Sequence, residues 1–254
     1  MKTSLTVAAL LVCAAGSLNA HAEGNLNGYW LTSYGQVPPV RKALPFEQAL
    51  IDLLPKDTLL LADSGLKEFP PGEFGGLQVT PEYKAKADKY DIEVQRSVST
   101  TCRPPSIIYS TQGPFPIEIF QGRDLIVIKM EYFDVVRVIF LNEKTHPDNW
   151  PLSVTGHSIG HWEGDTLVVD TVRISSSTFL NNGLDHSDNI HLLERFRVSP
   201  DGKELMITQE YDDPAVFKGH AARFIPMNKG KPTDHVYPYD CDPAYGNAIE
   251  ERSK

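Results

Sequence analysis

Apolar and polar residues alternate through much of the second half of this chain. The runs Ile117–Gln121, Leu125–Tyr132 and Val135–Leu141 are rich in β-branched and aromatic residues and are separated by short breaks such as Gly122-Arg123-Asp124. That pattern predicts three consecutive antiparallel strands. Ser158–Trp162 and Thr166–Arg173 flank Glu163-Gly164-Asp165 and make the strongest hairpin signal, with Gly164 free to take a positive φ in the turn. Ile190–Val198 and Glu204–Tyr211, joined by Ser199-Pro200-Asp201-Gly202, predict another hairpin, and Ala221–Met227 a closing strand. With an early strand at Tyr29–Thr32 the count reaches roughly eight or nine strands. No crossover helices separate them, which argues against a Rossmann-like or TIM-barrel sheet. The expected fold is mainly β: an antiparallel, lipocalin-like barrel, with a β-sandwich as the alternative.

The first hundred residues have another texture. From Glu23 to Cys102 the chain is Pro-rich and irregular, with helices predicted at Phe46–Leu54 and Pro81–Asp91. Thr80 before Pro81 reads as an N-cap followed by a first-turn proline. Lys2, the apolar run Leu5–Ala15 and the small residues of Ala20-His21-Ala22 predict a cleavable signal peptide over residues 1–22. The apolar run is too short to span a bilayer. The expected organisation is therefore a signal peptide (1–22), an N-terminal extension holding the first strand and short helices (23–102) and a barrel domain (103–254), in a periplasmic or secreted protein. Gly28-Tyr29-Trp30 resembles the Gly-x-Trp motif of lipocalin-like barrels, whose tryptophan plugs one barrel end.

Composition narrows the partners. The chain of 254 residues has 24 Lys plus Arg against 33 Asp plus Glu, a formal charge of −9, and no basic cluster. Nucleic acid is therefore not an expected partner, because phosphate binding needs a basic footprint. Export would remove Cys13 and leave Cys102 and Cys241, whose simplest state in an oxidising compartment is a disulfide. Neither has a second cysteine at metal-ligand spacing.

Several blocks resemble a widespread family of exported bacterial proteins. They are Cys102-Arg103-Pro104-Pro105, Pro116-Ile117-Glu118-Ile119, His146-Pro147, the long run from Gly156-His157-Ser158 through Trp162-Glu163-Gly164-Asp165-Thr166-Leu167-Val168-Val169-Asp170-Thr171, then His186-Ser187 and Glu194-Arg195. The resemblance spans about Thr80 to Asp242. It implies export and a lipocalin-like barrel, and it implies no particular reaction. Two departures stand out: His161 occupies a position where Arg is common, and Phe217-Lys218-Gly219-His220 replaces a segment richer in Pro and Trp.

Chemistry is then sought among polar residues on the strands. Seven histidines lie beyond the signal segment: His146, His157, His161, His186, His191, His220 and His235. On an extended strand His157 and His161 share a face but stand ~13 Å apart at ~3.3 Å per residue, too far for one metal ion. General acid–base work needs fewer coincidences, since an imidazole oriented by a carboxylate moves protons near neutral pH. His157 and His186 are the expected acid and base, with Asp170, Glu131 and Glu194 as orienting carboxylates. Arg137, flanked by valines, is expected to anchor an anionic ligand or pair with a cross-strand acid such as Glu131. Tyr132, Trp162, Glu194 and His161 complete the expected ligand-binding set. No metal or other cofactor is expected. Gly156-His157-Ser158-Ile159-Gly160 places a serine between glycines but precedes a hairpin, not a helix, so it is no hydrolase elbow. Two readings follow: a cofactor-free lyase, isomerase or cyclase acting on a small, partly apolar or aromatic molecule inside a barrel cavity, or a carrier of similar shape for a hydrophobic ligand or a His-held metal or haem. The oligomeric state is left open.

Overall fold

A computed structural model describes residues 23–33, 35–63, 67–91, 102–242 and 244. The predicted signal peptide, residues 1–22, lies outside the described residues. Strand formation follows the alternation. In chain order the strands are β1 (Gly28–Thr32), β2 (Leu59–Leu60), β3 (Gln78–Val79), β4 (Ile117–Gln121), β5 (Leu125–Met130), β6 (Val136–Phe140) and β7 (His157–Glu163). They continue as β8 (Thr166–Val172), β9 (Thr178–Leu180), β10 (Leu184–Asp185), β11 (His191–Val198), β12 (Glu204–Asp212), β13 (Phe217–Lys218) and β14 (Ala221–Lys229). The helices are short: α1 (Pro45–Ile51), α2 (Pro81–Ala87) and α3 (Ile107–Ser110). α1 starts on Pro45, and the Glu47 carboxylate accepts the Leu44 N–H at 2.7 Å, so an orphan donor of the first turn is satisfied. At α2 Thr80 holds the N-cap position, yet its hydroxyl donates to the Ala215 carbonyl at 2.8 Å instead of capping the helix.

Nine strands close into a barrel in the order β1-β4-β5-β6-β7-β8-β11-β12-β14, and β14 returns to β1. Closure removes the sandwich alternative and leaves no free sheet edge around most of the wall. The expectation of a wholly antiparallel barrel needs one correction: β6 and β7 run parallel, with Ile139 opposite Ser158. A parallel neighbour needs a crossover, and here the irregular segment from Leu141 to Gly156 supplies it on the outside of the barrel, where a sequence search for crossover helices finds nothing. Ser153 pins that segment, its carbonyl accepting the Ser175 N–H at 2.8 Å and its N–H donating to Arg173 O at 3.2 Å. Cys102 and Cys241 form a disulfide, as expected, with Cα atoms 5.7 Å apart.

The interior is packed, which overturns the expected hollow. Trp30, Ile119, Ile128, Leu167, Phe196 and Ile207, from six of the nine barrel strands, are all at or below 1% exposed and belong to one continuous core. The Trp30 indole N–H donates to Leu26 O at 2.9 Å, and the Lys229 ammonium lies 4.1 Å from the ring centre. A chain of polar side chains runs through this core. Arg137 donates to Ser158 Oγ at 3.1 Å and Thr171 Oγ1 at 2.9 Å and pairs with Glu194. Glu194 accepts from Gln209 at 3.0 Å, Gln209 from the Tyr211 hydroxyl at 2.7 Å, and that hydroxyl from Arg223 at 3.1 Å. Arg223 ends the chain on Asp63, with contacts of 2.8 to 3.1 Å. Each of these buried charges thus faces an opposite charge, the first condition under which burial is tolerated, although one terminal nitrogen of Arg137 is buried with no partner. Among the described residues no helix is long and apolar enough to cross a membrane.

Candidate functional site

The strand alternation decides where His157 goes. In β7 Ser158 and Gly160 face inward, so His157, Ile159 and His161 face outward. Gly156 just before it has φ +62°, and a Cβ there would lie 2.5 Å from the Val172 carbonyl oxygen, so the turn that aims β7 admits only glycine without a backbone shift. The His157 ring is not in the barrel interior. It is buried against the outer wall beneath the β6–β7 crossover, with Phe140 stacked at 5.3 Å and Trp150 at 4.3 Å between ring centres. Trp150 is held there because Arg173 donates to its carbonyl at 2.8 Å.

Two groups, His146 and Glu143, reach that ring, and Asp170 and His191 extend the cluster beyond His146. His146, from the crossover, places Nδ1 at 2.8 Å from His157 Nδ1 and Nε2 at 3.1 Å from Asp170 Oδ1. His191 Nε2 reaches the same Asp170 oxygen at 2.9 Å. The register explains this meeting: Asp170 stands opposite Leu193 on β11, so His191 is its diagonal neighbour on the outer face. Glu143 Oε2 lies 3.1 Å from His157 Nε2 but without hydrogen-bond alignment, and that nitrogen is buried with no partner. His157 is sealed, whereas Asp170 and His191 are 45% and 43% exposed, so one end of the cluster is open to solvent.

The proton positions follow from what each atom can do. An ionised carboxylate oxygen only accepts, so His146 and His191 both donate their Nε2–H to Asp170. Burial pushes the Asp170 carboxyl up, but the bonds from His191 and His146 outweigh it and hold it below the usual range. The bond to Asp170 raises His191 against the effect of its own burial. Between His146 and His157 one Nδ1 donates and the other accepts, and His157 Nε2 lies 3.1 Å from the Glu143 carboxylate. Burial holds His157 below its ordinary value, partly opposed by Glu143. Asp170, His146 and His157 thus form one continuous hydrogen-bonded series whose inner end lies beside Glu143.

No protein-family model and no curated protein matches this chain. Among the described residues no set of three His, Cys, Asp or Glu side chains is arranged to hold a metal ion.

The remaining expected site residues are scattered. His186 is fully buried elsewhere: Nδ1 sits 2.9 Å from Ser187 O and Nε2 2.8 Å from Ser106 Oγ. A carbonyl only accepts, so Nδ1 carries the proton and Ser106 donates to Nε2. His186 shares no hydrogen-bonding partner with His157, so the two do not form the expected acid–base pair. Glu131 accepts the Tyr237 N–H at 3.0 Å and touches neither His157 nor Arg137. Tyr132 stacks on Phe115 at 4.5 Å between ring centres and meets Tyr239 at 5.5 Å, in an aromatic cluster away from the histidines. Arg137 pairs with Glu194 in the core and not with Glu131. Glu194 and Arg195 take opposite faces, as the alternation predicts, and Arg195 pairs outside with Glu210 at 3.3 Å. Trp162 leans into the core, and His161 stands exposed beside Glu163 at 3.0 Å. His146, His191 and Glu143 were not among the expected site residues. The signal for His146 was its place in a Pro-containing segment between strands; nothing local marks His191 or Glu143.

Proposed function

We propose that this protein is an exported enzyme that moves protons on a small, partly apolar or aromatic molecule, by lyase, isomerase or cyclase chemistry, at a site on the outer wall of the barrel. The observation that carries this reading is the continuous pair of bonds from Asp170 through His146 to His157, ending at a ring nitrogen 3.1 Å from Glu143. Such an array holds one labile proton between an imidazole and a carboxylate while Asp170 stabilises the charge that develops on His146. Trp150 and Phe140 supply an apolar flank for the substrate. The crossover must lift to uncover His157 Nε2, and the solvent-open His191–Asp170 end is where a substrate first docks. The disulfide supports delivery into an oxidising compartment.

The test is untargeted turnover of an environmental metabolite pool by the wild type, His157→Ala and Asp170→Asn. Loss of the relay lowers the rate of the converted compound by roughly 10²-fold or more. Asp170→Asn also shifts the pH–rate profile, because His146 and His191 lose the anion they bond. Profiles identical across the three proteins refute catalysis at this site.

A further inference from the structure

The crossover that covers His157 is fixed at its two ends and bare between them. At one end the Leu141 N–H donates to Asp124 O at 2.9 Å; at the other Ser153 is bonded to Arg173 and Ser175, and Val154 O accepts the Ile107 N–H at 2.9 Å. From Asn142 to Leu152 no residue is buried, and among the described residues the one backbone bond in this stretch is internal, from Trp150 N–H to Pro147 O at 3.2 Å. A segment with so little buried contact opens locally at small cost. Among the described residues it is side chains that hold this flap to the wall. Arg173, itself exposed, donates Nε–H to the Trp150 carbonyl at 2.8 Å, the Trp150 ring lies against His157, and His146 reaches both His157 and Asp170.

The contact between His146 and His157 tolerates one shared proton and no more. Two Nδ1 atoms 2.8 Å apart are bonded when one carries hydrogen and the other a lone pair. A cationic imidazole carries hydrogen on both nitrogens, so two charged rings would point N–H at N–H and the bond is lost. His157 cannot turn away, being 1% exposed and packed against Phe140 and Trp150. His146 can, because it rides on the flap and its Nε2 keeps Asp170 as a pivot. The surrounding charges favour this parting. Glu143 stands by His157, Asp170 by His146 and His191, Asp212 and Glu210 act on His191 from β12, and the Arg173 guanidinium lies at the Trp150 carbonyl. Each imidazolium therefore keeps a carboxylate when the two rings separate.

We propose that Asn142 to Leu152 is an acid-opened flap, latched by the single proton between His146 and His157 and released when both rings are charged. Opening lifts Trp150 from His157 and admits water to the ring. Burial and the His146 charge both oppose charging of His157, so release falls below about pH 6.5. The device needs no turnover and stands whether or not the outer wall is catalytic.

The test is fluorine-19 NMR of the disulfide-bonded chain carrying fluorotryptophan, in which buried Trp30 is an internal reference. Trp150→Phe assigns the flap signal. As pH falls from about 8 to about 5, the Trp150 resonance is expected to move with a midpoint below about 6.5, and its difference between light and heavy water to grow, while Trp30 stays in place. His146→Gln abolishes this response, because an amide offers a donor or an acceptor to His157 in either charge state. His157→Gln abolishes it as well, and decides the matter if His146→Gln fails to fold. His191→Gln retains it, since His191 bonds Asp170 and not the latch. The signal is structural, so loss of turnover and loss of the acid response are separate results. A Trp150 resonance that stays fixed in the wild type, that titrates undiminished in folded His146→Gln or His157→Gln, that ceases to titrate in His191→Gln, or that moves only together with Trp30 overturns the proposal.

Discussion

His186 and His157 are the same side chain put to different uses by their neighbours. His186 is held between a carbonyl and a serine hydroxyl, so the neutral Nδ1–H tautomer satisfies both nitrogens. Burial lowers its proton affinity. The unfolded chain therefore binds the proton first, and this residue costs stability as pH falls below about 6.5. His191 has the opposite sign: its raised value adds stability below about 6.5 that is lost as pH climbs through the folded-state value. Nitrogen-15 NMR at pH 6 is expected to find His186 neutral with the proton on Nδ1, and His191 doubly protonated to a greater extent than a free histidine. A neutral His186 with its proton on Nε2 would contradict the bonding described. Sequence alone suggested both His157 and His186 as proton carriers, because residue type tells what a group can do and not what surrounds it.

Strands turn these single residues into two separate systems. On β6, β7, β8 and β11 the inward positions Arg137, Ser158, Thr171 and Glu194 build the buried ionic chain, and the outward positions His157, Asp170 and His191 build the relay. One residue of slip in any strand would exchange the two sets. The alternation was legible in the sequence, and Glu194 and Arg195 follow it in taking opposite faces. Which face looks inward was not, because His157 and Ser158 are both buried, one by the crossover and one by the core. Arg137→Met is expected to destabilise the fold by about 3–5 kcal/mol, since it strands Glu194 without a counter-charge. Adding Glu194→Leu should recover much of that loss in a denaturant titration. A single-variant cost no larger than that of an exposed substitution would mean the pair is not sealed from water.

At the scale of the whole molecule, closure depends on segments far apart in the chain. β1, near the start of the described residues, lies between β4 and β14, and the Cys102–Cys241 disulfide spans 139 residues around the barrel. In the chain-entropy description such a loop contributes roughly 5 kcal/mol at most, by restricting the unfolded ensemble. Cys102→Ser in an oxidised preparation should lower the denaturant midpoint accordingly, while an unchanged midpoint would show the closed barrel to be sufficient alone. By itself the sequence pointed to the nine barrel strands, most of their turns and the Cys102–Cys241 pairing, because side-chain periodicity and turn chemistry are local properties and cysteines are few. Only the tertiary structure decided that the barrel interior is packed, that β6 and β7 run parallel, and that His146, Glu143 and His191 join His157 and Asp170. Those outcomes rest on strand register and on the path of an irregular crossover, which are settled by packing between distant segments and leave no periodic trace in the chain.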